Sequence, residues 1–502
     1  MRSRHRIRRL PPSAWIALIA VWGLFSTVEV VAADRPNILL IYTDDQSFRT
    51  LSCYRDVGAW PWVKTPAIDR LASEGVRFTT CYGAAWCTPS RASLLTGRFQ
   101  HGIQGVQLTA VLEGHYDPQV CRFWPAELRR SGYSTAMIGK WHLGHDAGHG
   151  RDWDHSVVWD QADIVGDWYN DQLLSIDGAP KRKVPGYSTD VYTQHAVDYV
   201  RREHEKPWCL WLCYNAPHLP NTVHPRHREQ YSQAEVPIPA EVFGPRDNRP
   251  AWQRTYTQWK PGESGVPQYR NNPLPEMVRG YNRLVSAVDE GVDQLLAALT
   301  ETKQLDDTLI IFTSDQGFAW GEHGFAWKVG PYDACLRAPL LVRWPGVAMA
   351  GGVCPHPVTI VDVASTVVAA AGIEAPWKMH GHDLRPLLEQ PNRAWSETAF
   401  MEFTRWEFGE QTDGAQGRPE LRGVPWWLFV RQGRYKYIRT LVEDEIEELY
   451  DLEQDPAEQV NLAMRDEHQA RLVEFRELLL AELRRTESGM IEHLPPPRSA
   501  TN

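Results

Sequence analysis

Hydrophobic residues recur along the chain in short runs, separated by longer stretches that contain polar residues. The first run, at residues 38–42, is unbroken and typical of a strand buried on both faces, and further strands are predicted at 134–138, 208–214, 308–313 and 339–342. The stretches between them carry helix signals, either an apolar stripe or Pro at the start and Gly after the end, at residues 66–75, 90–96, 277–302 and 360–371. Strands that alternate with helices predict an α/β sheet covered by helices on both faces.

The pattern changes after about residue 390. Short strand patterns flank Gln432-Gly433, a turn sequence typical of a β-hairpin. The predicted elements here are strands at 426–431, 434–439 and 447–452 and an amphipathic helix at 467–485. We therefore predict a main α/β domain over residues 34–390, and a smaller domain over 391–490 made of an antiparallel sheet with a helix packed on it.

Three other segments do not follow these patterns. Residues 221–275 are rich in Pro and polar residues and are predicted to form long loops, and residues 491–502 a disordered tail. Residues 1–33 combine five Arg, an apolar run and small closing residues, which is the order of a signal peptide. The apolar run is shorter than the roughly 20 residues that span a bilayer, which favours cleavage over a membrane anchor. We expect an exported protein, periplasmic or secreted, that is not inserted in a membrane after cleavage.

The charge of the chain restricts its partners. The formal net charge is −10 at pH 7, and loss of the signal peptide, with five Arg and one Glu, makes it more negative by four. Such an acidic protein is not expected to bind nucleic acid or an anionic membrane. An anionic substrate would need positive charge concentrated at its site. The eight Cys fit neither a zinc site nor a dense disulfide scaffold, although one or two disulfide bridges are possible in an oxidising compartment.

Acidic residues follow two of the predicted strands. Asp44 and Asp45 follow the first strand, and Asp315 with Gln316 follows the strand at 308–313. Ligands of open α/β sheets bind beyond the carboxyl ends of the strands, and adjacent carboxylates need a cation or donors to stay ionised. Each pair alone is compatible with a solvated turn, but two such ends in one sheet favour a shared metal site. Oxygen ligands favour Ca2+, with Mg2+ less favoured.

The segment around Cys87 carries a more specific signal. It reads Cys87-Thr-Pro-Ser-Arg91 and continues Ala-Ser-Leu-Leu-Thr-Gly-Arg98, which resembles the signature of the sulfatase family. The resemblance implies that a maturation enzyme oxidises Cys87 to formylglycine. One hydroxyl of the hydrated aldehyde would attack sulfur, and the other would expel sulfate. Because Pro89 is predicted to begin a helix, Cys87 would lie at a helix N-terminus, which favours anions. Without its neighbours, Cys87 would be interpreted as a buried or bridged cysteine.

The resemblance covers nearly the whole chain after the signal peptide. Gly139-Lys140-Trp141-His142 is similar to a block that supplies an active-site Lys and His, and Ala216-Pro217-His218 to a later His motif. Gly321-Glu322-His323-Gly324 leads to Lys328, the position of the last catalytic Lys. The resemblance implies an alkaline phosphatase-like fold, with a large mixed, mostly parallel sheet sandwiched by helices. It also implies hydrolysis of sulfate esters, with a sulfated carbohydrate as the expected substrate.

The family pattern also implies roles for the matched residues. Metal ligands would be Asp44, Asp45, Cys87 as formylglycine, Asp315 and Gln316. Positive charge at the site would come from Arg91, Lys140 and Lys328. Asp315 would take a proton from the attacking hydroxyl, His218 with Lys328 would protonate the leaving oxygen, and His142 would take the proton of the second hydroxyl. The family commonly has Asp-Asn or Asp-His where this chain has Asp315-Gln316, so metal identity stays open.

Contacts with the substrate are harder to derive from the sequence. His101 and His323 are predicted to touch the substrate, and residues 144–170, dense in Asp, His and Trp, to form a substrate-facing loop. Two other functions stay open. A phosphate or phosphonate ester hydrolase of the same superfamily would share the fold and the metal carboxylates. An inactive carbohydrate-binding protein would fit the 22 Trp, although it would not need a complete set of active-site residues.

Overall fold

The computed structural model describes residues 35–103, 106–109, 113–160, 167–404, 420–421 and 423–497. All of them belong to one compact unit, which covers residues 32–502. The predicted signal peptide and residues 498–502 of the predicted tail lie outside the described residues. In the part of the chain that is described, no helix has both the length and the apolar character needed to cross a bilayer.

The elements follow the predicted alternation in the first 370 residues. The strands, in chain order, are β1 (Asn37–Thr43), β2 (Val76–Tyr82), β3 (Val106–Thr109), β4 (Glu113–Tyr116), β5 (Ser134–Lys140), β6 (His155–Trp159), β7 (Leu173–Ile176), β8 (Arg182–Lys183), β9 (Trp208–Cys213), β10 (Lys260–Pro261), β11 (Pro267–Tyr269), β12 (Asn272–Pro273), β13 (Thr308–Ser314), β14 (Arg337–Arg343), β15 (Gly352–Cys354), β16 (Val358–Thr359), β17 (Ala399–Phe403), β18 (Glu420–Leu421), β19 (Val424–Pro425), β20 (Trp427–Gln432), β21 (Tyr435–Thr440) and β22 (Glu448–Asp451). The α-helices are α1 (Pro66–Glu74), α2 (Cys87–Thr96), α3 (Trp124–Arg130), α4 (Ser188–Val200), α5 (Ala251–Arg254), α6 (Leu274–Glu301), α7 (Asp333–Leu336), α8 (Ile360–Ala370), α9 (Arg385–Glu389) and α10 (Gln469–Arg485).

A sheet of eleven strands forms the centre of the molecule, in the order β15-β2-β14-β13-β1-β9-β5-β6-β7-β8, with β16 also paired to β2. The strands from β13 to β6 run parallel, whereas β14 and β7 are antiparallel to their neighbours on either side. The predicted large mixed, mostly parallel sheet is confirmed.

The unbroken apolar run of β1 reflects burial on both faces of this sheet. Ile38, Leu40 and Tyr42 belong to one hydrophobic cluster, which includes residues of α2 and α8. Leu39 and Ile41 belong to a second cluster, which includes residues of α1, α4 and α6. Because helices cover both faces, no position of β1 needs a polar side chain, and the period-two alternation of a half-exposed strand is absent.

The C-terminal part forms a four-stranded antiparallel sheet in the order β17-β20-β21-β22. The predicted hairpin, third strand and α10 are confirmed, whereas β17 was missed by the sequence analysis. Phe400 and Leu428 belong to the same hydrophobic cluster as Ile38 of β1. The small sheet therefore shares a core with the large one, and a domain boundary near residue 390 stays a prediction.

Three expectations need correction. The segment 221–275 is mostly irregular, as predicted, but it also contains the short helix α5 and the antiparallel sheet β10-β11-β12. The predicted tail is ordered at its start, because residues Gly489–His493 form a 3-10 helix with Met490 buried. All eight Cys lie in the described residues and all carry free thiols, so the possible disulfide bridges are not formed.

Candidate active site

Strand register brings acidic side chains to one edge of the large sheet. β1 and β13 are parallel neighbours, and Thr43 lies opposite Ser314 at their carboxyl ends. Asp44 and Asp45 therefore leave the sheet beside Asp315, as the sequence predicted. The backbone N–H of Asp45 donates to Asp315 Oδ1 at 2.7 Å, and all three carboxylates are buried.

The Cys87 thiol lies within this acidic cluster. Cys87 is the first residue of α2, two residues before the predicted helix start at Pro89, and it is 2% exposed. Lys328 Nζ lies 2.8 Å from Cys87 Sγ and 2.6 Å from Asp45 Oδ1, and Gln316 Nε2 lies 3.6 Å from the sulfur. Burial, and then the charge of Asp44, raises the pKa of Cys87, and nearby lysines offset this only in part. The thiol is therefore protonated and is a poor nucleophile as it stands.

Two buried cations face the carboxylates from behind. Lys140 Nζ contacts Asp44 Oδ2, and the Arg91 guanidinium lies 3.9 Å from Asp44 Oδ1 and 3.6 Å from Asp315 Oδ2. Burial alone would raise the pKa of Asp44, but Lys140, His218 and Arg91 outweigh it and hold that pKa well below its usual range. For Asp315, burial and then Asp44 raise the pKa well above its usual range. The two neighbouring carboxyls thus differ in how readily they hold a proton.

The donor set at this edge fits a hard divalent cation. Three buried oxygens of the predicted metal ligands have no hydrogen-bond partner among the described residues, namely Asp44 Oδ1, Asp315 Oδ2 and Gln316 Oε1. Ligand atoms of Asp44, Asp45, Cys87 and Asp315 lie within 4.8 Å of one another. Buried oxygens without partners carry a desolvation cost that an oxygen-coordinated cation such as Ca2+ would remove. Gln316 therefore offers the oxygen that the sequence analysis expected of it.

His142 follows β5 and turns toward the cluster with a left-handed backbone, φ 59°. It is 6% exposed, and neither ring nitrogen has a hydrogen-bond partner within the described residues. Burial, and then Lys140, lowers the pKa of His142 well below its usual range. A neutral imidazole with both nitrogens unused is suited to exchange a proton with a bound molecule.

His218 is a second histidine close to Cys87, since ligand atoms of the two residues lie within 4.8 Å of each other. Its Nδ1 faces the carbonyl of Leu219 and must carry a proton there, and its Nε2 lies 3.5 Å from Asp45 Oδ2. Burial lowers the pKa of His218 to about 4. Trp168 stacks on the imidazole, with 4.6 Å between ring centroids, and holds its plane.

A cavity of about 810 Å3 opens onto Cys87. Cys87 and its buried neighbours form the base, and exposed residues of the segment 219–283 form the mouth. Of the predicted catalytic and metal-binding residues, those that line the cavity are Asp45, Cys87, His142, His218 and Lys328. Those that lie behind the lining are Asp44, Arg91, Lys140, Asp315 and Gln316. The structure thus brings all ten together in two layers.

The two other predicted substrate contacts do not line this cavity. His101 is buried, and its Nδ1 lies 2.8 Å from Glu402 of the small sheet. His323 is also buried and stacks on Tyr332, with 3.9 Å between ring centroids. Both side chains pack between elements instead of facing the cavity. The sequence could not show this, because a lone His carries no signal that separates a packed ring from a ligand-facing one.

The sequence analysis missed a contact that fixes the position of Lys328. Val329 has a φ of 86°, in the left-handed region that a β-branched residue rarely adopts. Its carbonyl accepts a hydrogen bond of 2.9 Å from Trp427 Nε1, and Trp427 is fully buried in β20. A residue of the small sheet thus restrains the loop that carries Lys328.

The sequence analysis also did not predict several other residues that line the cavity. Trp86, just before α2, lines the base beside Cys87. Arg270 and Arg283 line the mouth, and they come from a segment predicted only as loops and from the polar side of α6. Trp168 was covered by the predicted substrate-facing loop, of which residues 161–166 lie outside the described residues. In the rest of that loop, Trp153 is buried in the core.

Comparisons with known proteins agree with this geometry. A family model for sulfatases matches residues 36–373, and a model for the C-terminal part of N-sulphoglucosamine sulphohydrolase matches residues 321–486. An N-acetylglucosamine-6-O-sulfatase of Bacteroides thetaiotaomicron is 30% identical over 94% of this chain and 91% of its own length. The N-acetylglucosamine-6-sulfatase of Homo sapiens is 29% identical over 79% of this chain and 72% of its own length.

Solved structures give the same result. A protein solved in complex with its substrate, D-glucosamine-2-N,6-O-disulfate, has a TM-score of 0.78 and 28% identity, over 90% of this chain and 98% of that one. The fold is therefore alkaline phosphatase-like, and the activity is that of a sulfuric ester hydrolase. Because the family model spans the acidic strand ends, the Cys87 segment and both lysines of the cluster, this chain belongs to the sulfatase family.

Proposed function

We propose that this sulfatase removes the 6-O-sulfate of a sulfated amino sugar, using a formylglycine made from Cys87 and a bound Ca2+. The sugar and the position of the sulfate are supported by relatives named for N-acetylglucosamine 6-sulfate and by the neighbour bound to a 6-O-sulfated glucosamine. The cavity volume of about 810 Å3 lies within the range of about 300–1,000 Å3 that small-molecule sites occupy.

The observation that carries the proposal is the position of Cys87. It lies at the base of the cavity, begins α2, and contacts Lys328 in the middle of the carboxylate cluster. As a thiol it is protonated by burial, so this chain needs another nucleophile at the same place. A hydrated formylglycine would supply a hydroxyl nucleophile there, and the cation would supply positive charge toward the sulfate oxygens.

Three side chains would stabilise the anionic ester. Arg91, Lys140 and Lys328 carry positive charge at the base, in a chain whose overall charge is negative. Burial opposes a charged Lys328, but the neighbouring acidic groups, Asp45 foremost, together outweigh burial and raise the pKa of this lysine. Lys328 therefore keeps its proton until a stronger base forms close to it. Charge that develops on the leaving oxygen would create such a base.

The remaining proton transfers would fall to three groups. Asp315, with its raised pKa, is suited to accept a proton at Oδ2, the oxygen without a partner. His218 carries its proton at Nδ1, so it would have to take up a second proton at Nε2 before giving one to the leaving oxygen, whereas Lys328 is already protonated and would donate directly. His142 would accept a proton in the second half of the reaction, because its lowered pKa leaves it neutral.

We also propose that the protein is exported and that a maturation enzyme modifies Cys87. The pattern of residues 1–33 supports export, and the segment Cys87 to Arg91 supports recognition by such an enzyme. Mass spectrometry of the peptide that contains Cys87, after expression in the native host, should show an aldehyde oxygen in place of the thiol. An unmodified thiol in fully active protein would contradict the proposed nucleophile.

A panel of substrates tests the specificity. We expect release of sulfate from N-acetylglucosamine 6-sulfate to exceed release from its 3-sulfate and 4-sulfate isomers by at least about 100-fold in kcat/KM, because misplaced esters cannot reach the base of the cavity. Paired aryl sulfate and aryl phosphate esters provide the control for the reaction class. Equal rates on the three isomers would exclude the proposed position, and faster turnover of the phosphate would favour a phosphate esterase.

The contact between Trp427 and Val329 predicts an effect on catalysis from outside the cavity. Trp427→Phe removes the donor to the Val329 carbonyl, and we expect kcat to fall about 5-fold with KM nearly unchanged, because one hydrogen bond contributes about 1 kcal/mol. The measurement is steady-state kinetics well below the melting temperature. Trp208→Phe is the matched control, since Trp208 is also fully buried and donates from Nε1 to Gln304 at 2.7 Å, far from the cavity. Equal losses of kcat in both variants would show that Trp427 acts through stability alone.

A further inference from the structure

We propose that the mouth of the cavity is a second anion-binding site, in which Arg270 and Arg283 bind a sulfate or carboxylate on the alcohol part of the substrate. This inference rests on the proposed function and extends it, because it names a substrate with at least two anionic groups. The site is separate from the base of the cavity, where Lys328 would face the ester that is hydrolysed and Arg91 and Lys140 lie behind the lining.

Arg270 is presented by a strained turn. It lies at the tip of the hairpin between β11 and β12, where Tyr269 pairs with Asn272 and leaves Arg270-Asn271 as a two-residue loop. Both loop residues have positive φ, 50° and 64°, positions that usually hold Gly, Asn or Asp. An Arg here costs the turn free energy, and such strain is concentrated at binding sites. The guanidinium lies 5.4 Å from the Tyr269 ring centroid, which limits its orientations.

Arg283 approaches the same mouth from α6. Its Nε donates to the carbonyl of Gln230 at 2.7 Å, which fixes the plane of the guanidinium. In the described part of the chain, its two terminal nitrogens have no hydrogen-bond or ion-pair partner. A guanidinium that is fixed on one edge and free on the other presents two parallel donors, which is the geometry that binds carboxylates and sulfates.

The charges around the mouth do not neutralise these arginines. The carboxylates that line the cavity are Asp45 and Glu276. Asp45 Oδ1 is held by Lys328 at 2.6 Å, and Glu276 Oε1 accepts from Arg279 at 2.6 Å on its own helix. Neither Arg270 nor Arg283 has an acidic partner among the described residues. In a chain of formal charge −10, two unpaired guanidinium groups at one mouth indicate an anionic ligand.

The test compares three substrates that carry the same 6-O-sulfate. The first is N-acetylglucosamine 6-sulfate, the second adds an N-sulfate, and the third adds a linked uronic acid. The double variant Arg270→Asn with Arg283→Gln removes both charges and suits the left-handed turn, since Asn tolerates positive φ. We expect kcat/KM to fall about 10- to 100-fold for the dianionic substrate that binds the mouth, mainly through KM, and less than about threefold for the monosulfate.

Arg228→Gln is the matched control, because Arg228 is exposed and does not line the cavity. A selective loss on the second substrate identifies a sulfate as the ligand, and a selective loss on the third identifies a carboxylate. An equal loss on all three substrates, or no loss, overturns the proposal.

A binding measurement separates this proposal from the proposed function. If the wild type released no sulfate from any of the three sugars, the proposed function would fail. Inhibition of aryl sulfate hydrolysis by an N-sulfated glucosamine and by a glucosamine–uronic acid disaccharide, both without a 6-sulfate, would then decide the second site. The site is supported if at least one of these sugars inhibits the double variant at least about tenfold more weakly than the wild type. It is overturned if each sugar inhibits the wild type and the double variant equally.

Discussion

Replacing Cys87 by alanine is expected to lower kcat/KM for sulfate ester hydrolysis by about 10,000-fold or more. Without a nucleophile at the base of the cavity, only binding and charge stabilisation remain. The fold should persist, because the substitution removes one sulfur atom and leaves the helix start at Trp86 and Cys87 intact. The measurement is release of sulfate from an aryl sulfate, with circular dichroism as the check on folding.

Cys53→Ser provides the control for this experiment. Cys53 is only half-buried and does not line the cavity, so activity should stay within about twofold of the wild type. Wild-type protein from a host without the proposed maturation enzyme should resemble the Cys87→Ala variant in activity and show the proposed binding of calcium. Activity of Cys87→Ala within tenfold of the wild type would exclude Cys87 as the source of the nucleophile.

Asp315→Asn is expected to weaken metal binding and activity while it increases the stability of the metal-free protein. The amide keeps an acceptor for the Asp45 N–H but loses the charge at Oδ2, so kcat/KM should fall about 1,000-fold. Calcium at 100 times its Kd should stabilise the wild type by about 2.7 kcal/mol, and this shift in melting temperature should be nearly lost in the variant.

Without metal, the raised pKa of Asp315 predicts that the Asp315→Asn substitution has the opposite effect and increases stability. Burial and Asp44 raise this pKa in the folded state, so the carboxyl favours folding below its unfolded pKa, and that contribution is lost as pH rises through the folded pKa. At neutral pH and in EDTA, the Asp315→Asn variant, which is uncharged at this position, should therefore be more stable than the wild type. Thermal unfolding at pH 5 and pH 8 checks this, because the difference should grow with pH.

Asp289→Asn is the matched control for the charge effect. Asp289 lies on α6, accepts from the Ile68 N–H at 2.9 Å, and has its pKa raised to about 7 by burial. Its amide variant should gain stability at high pH in the same way, yet keep the calcium response and the activity. A calcium response of Asp315→Asn equal to that of the wild type would argue against Asp315 as a ligand.

The sequence predicted the parts of the fold that depend on local pattern. The run Ile38–Tyr42 indicated a doubly buried strand because its alternate residues serve two cores, and Gln432-Gly433 indicated a hairpin because that turn needs a Gly. Strand order and β17 did not follow from the sequence. They depend on which strands pair over long separations, and that is decided by packing of the whole chain.

The candidate site was predictable where chemistry requires contiguous residues. The Cys87 segment and the acidic strand ends are short and local, and the structure brings them together as expected. The mouth of the cavity was not predictable, because Arg270 reaches it from a loop whose course is set by tertiary contacts. The same limit explains His101, whose partner Glu402 lies 301 residues away.

The hydrogen bond from Trp427 to Val329 spans 98 residues, and it ties the Lys328 loop to a sheet that shares one hydrophobic cluster with β1. Unfolding should therefore appear as a single calorimetric transition over the whole catalytic unit, and two separate transitions would disprove this. A chain whose synthesis stops before residue 427 would leave the Lys328 loop without its restraint and much of the shared cluster open to water. Such a truncated product should be degraded, so only complete chains would accumulate.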